Sequence, residues 1–260
     1  MNYYPTKEHE NATRLYVDSF KNDKDVLAIL LICSCARGKA SRDSCVDMGF
    51  LVKPGTLCEF KVKSRVMEEA IDQSDVIKAF NKAGAFCEVH HSFFDGNFKP
   101  GTHHWTSGPD EFELEIGNHV KYAVPLLEKG NHFQELKDKW LPYYSDELRE
   151  KRMKNNEKFF TNHVKHIPLY AKRGLVFEAF HRLYLATQEF LQFLFIKNRT
   201  YPISYTKWIE EQLVDILGLP ELFPRFKSAL ELPSLDVETF SEKEELLWQL
   251  GTEYLELDAP

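Results

Sequence analysis

The sequence lacks a long uninterrupted hydrophobic run, and this bears on whether the chain crosses a membrane. Its most apolar segment is Leu175–Ile196, which is broken by charged or polar residues at Glu178, His181, Arg182 and Glu189. A membrane-spanning helix needs about 18 or more apolar residues in succession. We therefore expect no membrane span, and we interpret this segment as a buried helix of a bundle.

Positive charge is also scarce. The chain has 33 Lys and Arg residues against 40 Asp and Glu residues, which gives a net charge of -7. Proteins that bind duplex nucleic acid neutralise its phosphates with basic residues. The charge balance therefore argues against a duplex as the main partner and favours a small molecule or a nucleotide.

Cysteines are few, odd in number and confined to the first third of the chain, at Cys33, Cys35, Cys45, Cys58 and Cys87. No secretory leader is recognised ahead of them, so we expect a reducing cytoplasm rather than a disulfide framework. The spacing of the first three is not that of a zinc knuckle. We interpret the cysteines mainly as small buried side chains.

Several catalytic motifs are missing. The sequence has no Gly-x-Ser-x-Gly nucleophile elbow and no Walker or Rossmann glycine pattern. Two histidine pairs, His90-His91 and His103-His104, raise the question of a metal site. Adjacent residues on a strand point to opposite faces, so neither pair chelates as a unit, although one histidine from each pair could meet.

One stretch, Ala28–Val52, does carry a chemical pattern. An apolar run at Val26–Ile32 has the length and β-branched content of a buried strand, and Ser44–Val52 alternates like a second strand. Between them lie small, hydroxyl-bearing and cationic residues: Ser34, Arg37, Gly38, Lys39 and Ser41. A closely approaching backbone, hydroxyl donors and cations together make phosphate-binding chemistry.

This stretch resembles the signature of the nucleotidyltransferase superfamily, which includes DNA polymerase β and the aminoglycoside and lincosamide nucleotidyltransferases. In that family Gly-Ser after the first strand holds a triphosphate, and Asp-apolar-Asp on the second strand binds Mg²⁺. The matching residues are Ser34, Ala36, Arg37, Gly38, Ala40, Ser44 and Asp47. The resemblance implies Mg²⁺-dependent transfer of a nucleoside monophosphate from a nucleoside triphosphate to a hydroxyl of a small acceptor. It implies that Asp47 binds the metal ion. It also implies that the nucleotide is bound by Ser34, Arg37, Gly38 and Ser44.

The sequence departs from the family pattern twice. Cys33 stands where the family has Gly, and Cys45 stands where it has the first metal-binding Asp. Mg²⁺ is a hard cation that prefers carboxylate oxygen, whereas a thiol is a soft ligand. Two hypotheses follow: an enzyme impaired at its metal site, or a non-catalytic descendant that binds a nucleotide or a partner protein through the same cleft.

Three glutamates alternate with apolar residues over Glu111–Gly117, which is the pattern of a strand with one acidic face. Like charges in a row are unfavourable unless solvent or a cation neutralises them. The resemblance implies that a later strand supplies a third metal-binding carboxylate, and we assign that role to Glu113, with Glu115 next. The alternative is an edge strand with a solvated acidic face.

The overall prediction is an α+β chain. Residues 1–117 are expected to form a nucleotidyltransferase-type mixed sheet of four or five strands with flanking helices, and residues 118–260 an all-α helical bundle. Antibiotic-modifying members of the family draw a general base from a helical domain, and Glu178 is the candidate here. An i,i+4 salt bridge between Glu178 and Arg182 is the alternative role.

Local periodicity predicts the remaining elements. Strands are predicted at Leu57–Lys63 and Phe86–Phe94, and residues 97–110 are predicted to form a loop. Helices are predicted at Lys7–Asn22, Val66–Phe80, Tyr122–Leu127, Phe133–Trp140, Leu148–Phe160, Lys172–Lys197, Tyr205–Leu217 and Ser241–Leu255.

Overall fold

A computed structural model describes residues 3–257, and these contain a four-stranded mixed sheet. The strands are β1 Val26–Ile32, β2 Val46–Val52, β3 Val89–Phe94 and β4 Val124–Glu128. Their order across the sheet is β3, β2, β1, β4. Strand β1 is antiparallel to both β2 and β4, and β3 is parallel to β2. The predicted α+β class, with a mixed sheet and a helical C-terminal region, is confirmed.

Helices make up most of the rest of the described chain. In chain order they are α1 Lys7–Phe20, α2 Cys33–Ala36, α3 Leu57–Asp72, α4 Asp75–Asn81, α5 Phe112–Ile116, α6 His132–Trp140, α7 Asp146–Lys172, α8 Val176–Lys197, α9 Leu222–Ser228 and α10 Val237–Leu255. Two π-helical segments, Gly117–Lys121 and Glu211–Ile216, complete the set. Among these helices, none is both long and apolar enough to cross a membrane.

The chain folds into two compact units. The first unit runs to Lys99 and includes Glu115–Pro142, and the second comprises Pro100–Leu114 and the chain from Tyr143 onward. The expected boundary at Gly117 does not follow this division. Residues 118–142 join the sheet because β4 pairs with β1, whereas the segment before Leu114 joins the helices through its ion pairs with α7.

The core of the first unit lies against the sheet. Helix α1 buries Ala12, Tyr16 and Phe20, which recur every four residues and so share one face. The Phe20 ring lies 5.0 Å from the Phe50 ring of β2, measured between ring centroids. Both side chains are fully buried, and burying each contributes about 1.5–3 kcal/mol. This packing holds β2, which carries the candidate site, against α1.

The core of the second unit is formed mainly by α7, α8 and α10. The ring centroid of Phe160 on α7 lies 6.2 Å from that of Phe190 on α8 and 6.2 Å from that of Trp248 on α10. Helix α8 is apolar around most of its circumference, as a helix surrounded by others must be. The buried bundle helix predicted over Leu175–Ile196 is confirmed as α8, whereas Lys172 ends α7.

The strand predicted at Leu57–Lys63 is wrong, because this segment lies in α3. The buried residues of α3 are Phe60, Ser64 and Ile71, spaced as on one helix face. Val62 is 67% exposed, so the apolar alternation does not mark a buried sheet face. The helix predicted from Val66 to Phe80 divides at Ser74, whose side chain accepts a hydrogen bond from the Ile77 amide and begins α4.

Two further segments have the opposite secondary structure from the one predicted: a predicted strand is a helix, and a predicted helix is a strand. Glu111–Gly117 is helical rather than extended, because Phe112 and Ile116 are buried one turn apart on α5. The segment predicted as a helix at Tyr122–Leu127 lies mostly in β4, which begins at Val124. It pairs with the free edge of β1, and as an edge strand it tolerates Pro125.

Candidate metal and phosphate-binding site

The turn between β1 and β2 keeps the conformation that glycine favours, although cysteine begins it. Cys33 has φ 57°, in the left-handed region, and Gly38 has φ 68°. The Gly38 amide donates to the Cys35 carbonyl at 3.0 Å, and the Lys39 amide donates to the Ser34 carbonyl at 2.9 Å. We call residues 33–39 the phosphate turn. Its backbone path therefore does not require glycine at residue 33, only a residue that accepts a strained φ.

We expect Cys33→Gly to change the free energy of unfolding by less than about 1 kcal/mol. Glycine relieves a left-handed strain of about 1–2 kcal/mol but costs a similar amount through the flexibility of the unfolded chain and the lost thiol contacts. The matched control is Cys35→Gly, which removes a buried thiol from α2 and should cost about 2 kcal/mol. Urea denaturation measures both, and equal losses in the two variants would contradict the strain argument.

The residues expected to bind the nucleotide have different surroundings. Ser34 and Arg37 are half-buried, and Gly38 is exposed. The Gly38 amide is occupied by the turn itself, so the contribution of Gly38 is its backbone conformation rather than a donor. Ser44 accepts a hydrogen bond from the Ser41 amide at 2.9 Å, which makes it a loop-closing residue. The side chains of this set that can donate a hydrogen bond to a phosphate include the Ser34 hydroxyl and the Arg37 guanidinium.

Three potential ligand side chains converge where β2 begins. Cys45 and Asp47 are two residues apart and so point to the same face of the sheet, and Asp47 lies opposite His90 on β3. The Cys45 thiol donates to Asp47 Oδ2 at 3.1 Å, and His90 Nδ1 lies 3.7 Å from Asp47 Oδ1. The potential ligand atoms of all three residues lie within 4.8 Å of one another. We call these residues the Cys-Asp-His cluster.

The cluster and the phosphate turn are close in space. Burial raises the pKa of the Cys33 thiol to about 12, and the nearby Asp47 carboxylate acts in the same direction. Burial and the Asp47 charge likewise raise the pKa of Cys35 to about 12. Both thiols therefore stay protonated near neutral pH. Cys35 and Cys87 are buried as expected, whereas Cys58 is exposed and Cys33 and Cys45 are half-buried.

The sequence analysis considered His90 for a metal site only together with a histidine of the His103-His104 pair, and not with Asp47. The strand predicted at Phe86–Phe94 is confirmed as β3, but nothing local in the sequence shows that it pairs in parallel with β2. The resemblance expects a third carboxylate on a later strand beside Asp47. In the structure the residue opposite Asp47 on β3 is His90, and its side chain is 59% exposed.

The glutamates assigned to the metal site have other partners. Glu113 is fully buried on α5, and Arg152 donates to both of its carboxylate oxygens, at 2.5 and 2.6 Å. The metal assignment of Glu113 depends on a strand that does not form, and its contacts support an ion pair instead. Glu115 is half-buried on the same helix, and its carbonyl accepts a hydrogen bond from His119 Nδ1 at 3.0 Å.

Glu178, the candidate general base, makes the predicted salt bridge. Its Oε1 accepts a hydrogen bond from Arg182 Nε at 3.0 Å, one turn along α8. The Glu178 side chain is 39% exposed, whereas that of Arg182 is 4% exposed. The contacts of Glu178 thus match the salt-bridge alternative, and its catalytic role stays a prediction.

The donor set of the cluster does not fit Mg²⁺. Mg²⁺ demands hard oxygen ligands in near-octahedral geometry, and the cluster offers one carboxylate, one thiol and one imidazole. Thiol and imidazole donors select borderline metals such as Zn²⁺.

No family model matches the sequence, and comparison with curated proteins likewise finds no match.

Proposed function

We propose that the chain is a nucleotide-binding protein of the nucleotidyltransferase type whose nucleotide binding does not depend on Mg²⁺. The phosphate turn would hold the triphosphate, and the Cys-Asp-His cluster would occupy the place of the family's carboxylates. Of the two hypotheses drawn from the sequence, this is the non-catalytic one.

One observation carries the proposal: the register that puts His90 opposite Asp47. With Cys45 two residues before Asp47, two of three expected carboxylates are replaced by side chains that Mg²⁺ does not favour. In a two-metal transfer reaction the ions stabilise both the attacking and the leaving oxygen. Losing two carboxylates removes that stabilisation while leaving the phosphate turn in place.

The phosphate turn and its continuation supply local positive charge in an acidic protein. Arg37, Lys39 and Arg42 lie within six residues, and Asp43 is the acidic residue that follows them. Arg42 donates to the Ala83 carbonyl at 3.1 Å, which fixes its stem beside the loop before β3. Cations on a tight turn with a hydroxyl at Ser34 favour an anionic, phosphate-bearing ligand over a neutral one.

Transfer to a small-molecule acceptor stays a prediction. It would need a metal or another electrophile at the transferring phosphoryl group, and a base for the acceptor hydroxyl. The ligand atoms of the Cys-Asp-His cluster are not those that Mg²⁺ prefers, and Glu178 forms a salt bridge with Arg182. The cytoplasmic location expected from the cysteine pattern belongs to the same proposal.

Ser34→Asp tests the site within the fold. It puts a carboxylate where the triphosphate would lie, and we expect nucleoside triphosphate binding to weaken at least about tenfold because like charges repel. The matched control is Ser19→Asp on α1, because Ser19 is half-buried like Ser34; its hydroxyl donates to the Leu15 carbonyl at 2.8 Å. Calorimetric titration measures both variants. If both bind as the wild type does while their melting temperatures are unchanged, the turn is not the phosphate site.

A further inference from the structure

We propose that the Cys-Asp-His cluster binds Zn²⁺ or a metal of similar softness, at the place where the family resemblance implies Mg²⁺. The ligands are the sulfur of Cys45, one carboxylate oxygen of Asp47 and Nδ1 of His90. This proposal is independent of whether the phosphate turn binds a nucleotide.

The distances within the cluster suit one tetrahedral ion. With Zn–S of about 2.3 Å and Zn–N and Zn–O of about 2.0–2.2 Å, tetrahedral ligand atoms lie about 3.3–3.7 Å apart. The Cys45 sulfur lies 3.1 Å from Oδ2 of Asp47, and His90 Nδ1 lies 3.7 Å from the other carboxylate oxygen, Oδ1. All three ligand atoms lie within 4.8 Å of one another, so side-chain rotations that bring them at most about 1 Å closer place them around a common ion.

Glu88 supports the histidine in the way metal sites require. His90 Nε2 lies 3.4 Å from Glu88 Oε2, so a proton on Nε2 is donated to that carboxylate. Nδ1, which faces Asp47, is then left with its lone pair for the metal. Metal-binding histidines commonly donate their other ring nitrogen to a carboxylate, and loss of that partner costs about 10–100-fold in affinity.

Binding replaces a proton by the metal. The Cys45 S–H bond, which now points to Asp47, breaks as the sulfur–metal bond forms, and the proton passes to solvent. The ion thus takes the place of the Cys45 proton between sulfur and carboxylate. Three protein ligands leave the fourth coordination position to water or to an added ligand.

Co²⁺ is the probe, because a thiolate ligand gives a charge-transfer band and tetrahedral geometry gives intense visible bands. We expect the full chain to bind one Co²⁺ with both signals, and one Zn²⁺ to displace it with a Kd of about 1 µM or tighter. One proton should be released per ion, while millimolar Mg²⁺ should not compete.

Substitutions distinguish the residues that bind the metal from those that do not. Cys45→Ser should abolish the charge-transfer band and weaken Zn²⁺ binding at least about 100-fold, and Glu88→Gln should weaken it about 10–100-fold without disturbing folding, because Glu88 is exposed. The controls are Cys58→Ser and His132→Ala, an exposed thiol and an exposed imidazole elsewhere, which should bind as the wild type does. A wild type without the thiolate band, or a band lost in Cys58→Ser but kept in Cys45→Ser, would overturn the proposal.

Discussion

Replacing Arg152 by Leu is expected to lower the free energy of unfolding of the helical unit by about 3–5 kcal/mol, because it leaves two buried carboxylates without their partner. Arg152 on α7 is 8% exposed and bonds Asp110 and Glu113 at once. Its Nη1 and Nη2 donate to the two Asp110 oxygens at 3.1 and 2.9 Å. Asp110, Glu113 and Arg152 all belong to the second, helical unit.

The pH dependence should also change sign in the Arg152→Leu variant. In the wild type, burial alone would raise the pKa of Asp110, but the hydrogen bonds and charge of Arg152 outweigh it and hold that pKa below its usual value. The wild type therefore gains stability from Asp110 above a pH of about 3.9 and loses it as the pH falls. Without Arg152, burial raises the Asp110 pKa, and the variant should lose stability as the pH rises above that value.

Urea denaturation followed by circular dichroism between pH 3 and 7 measures both effects. The control is Arg225→Leu, which removes the exposed ion pair of Arg225 Nη1 with Glu253 Oε2, 2.6 Å apart, and should cost at most about 1 kcal/mol. A similar loss in the two variants, with parallel pH curves, would show that the buried pairs do not hold the helical unit together.

The double substitution Cys45→Asp with His90→Asp is expected to create a Mg²⁺ response that the wild type lacks. It places three carboxylates within a few ångströms, where repulsion destabilises the metal-free protein and one divalent ion relieves it. At Mg²⁺ of about 100 times its Kd, binding should restore about 2.7 kcal/mol of stability. The single Cys45→Asp variant should respond less, because His90 still faces the site.

Thermal melting with and without millimolar Mg²⁺ reads out this response. Cys58→Asp with His132→Asp makes the same change of residue types at exposed positions and should show no Mg²⁺ dependence. If the wild-type melting temperature rises with Mg²⁺ as much as that of the Cys45/His90 double variant, the natural cluster binds Mg²⁺ and the donor-set argument fails.

The local sequence was sufficient to predict the phosphate turn and the two strands, β1 and β2, on either side of it. The apolar run of β1 and the small residues after it encode their structure within a few residues, and α1 and α8 follow from apolar periodicity alone. Such segments need no distant partner to determine what they become.

Long-range pairing determined the rest and could not be predicted from one sequence. Tyr122–Leu127 has a helical pattern, but most of this segment pairs with the open edge of β1 and forms β4. The role of Glu113 depends on Arg152, 39 residues away in the chain. His90 becomes a neighbour of Asp47 only through the parallel register of β2 and β3.

Calorimetric titration of the metal-free wild type with a nucleoside triphosphate, in the presence and in the absence of Mg²⁺, tests the central claim most directly. We expect binding in both conditions with dissociation constants within about threefold of each other, because the phosphate turn and not a Mg²⁺ site holds the ligand. The nucleotide should be recovered intact. Binding that appears only with Mg²⁺ and is followed by turnover, or no binding in either condition, would contradict the account.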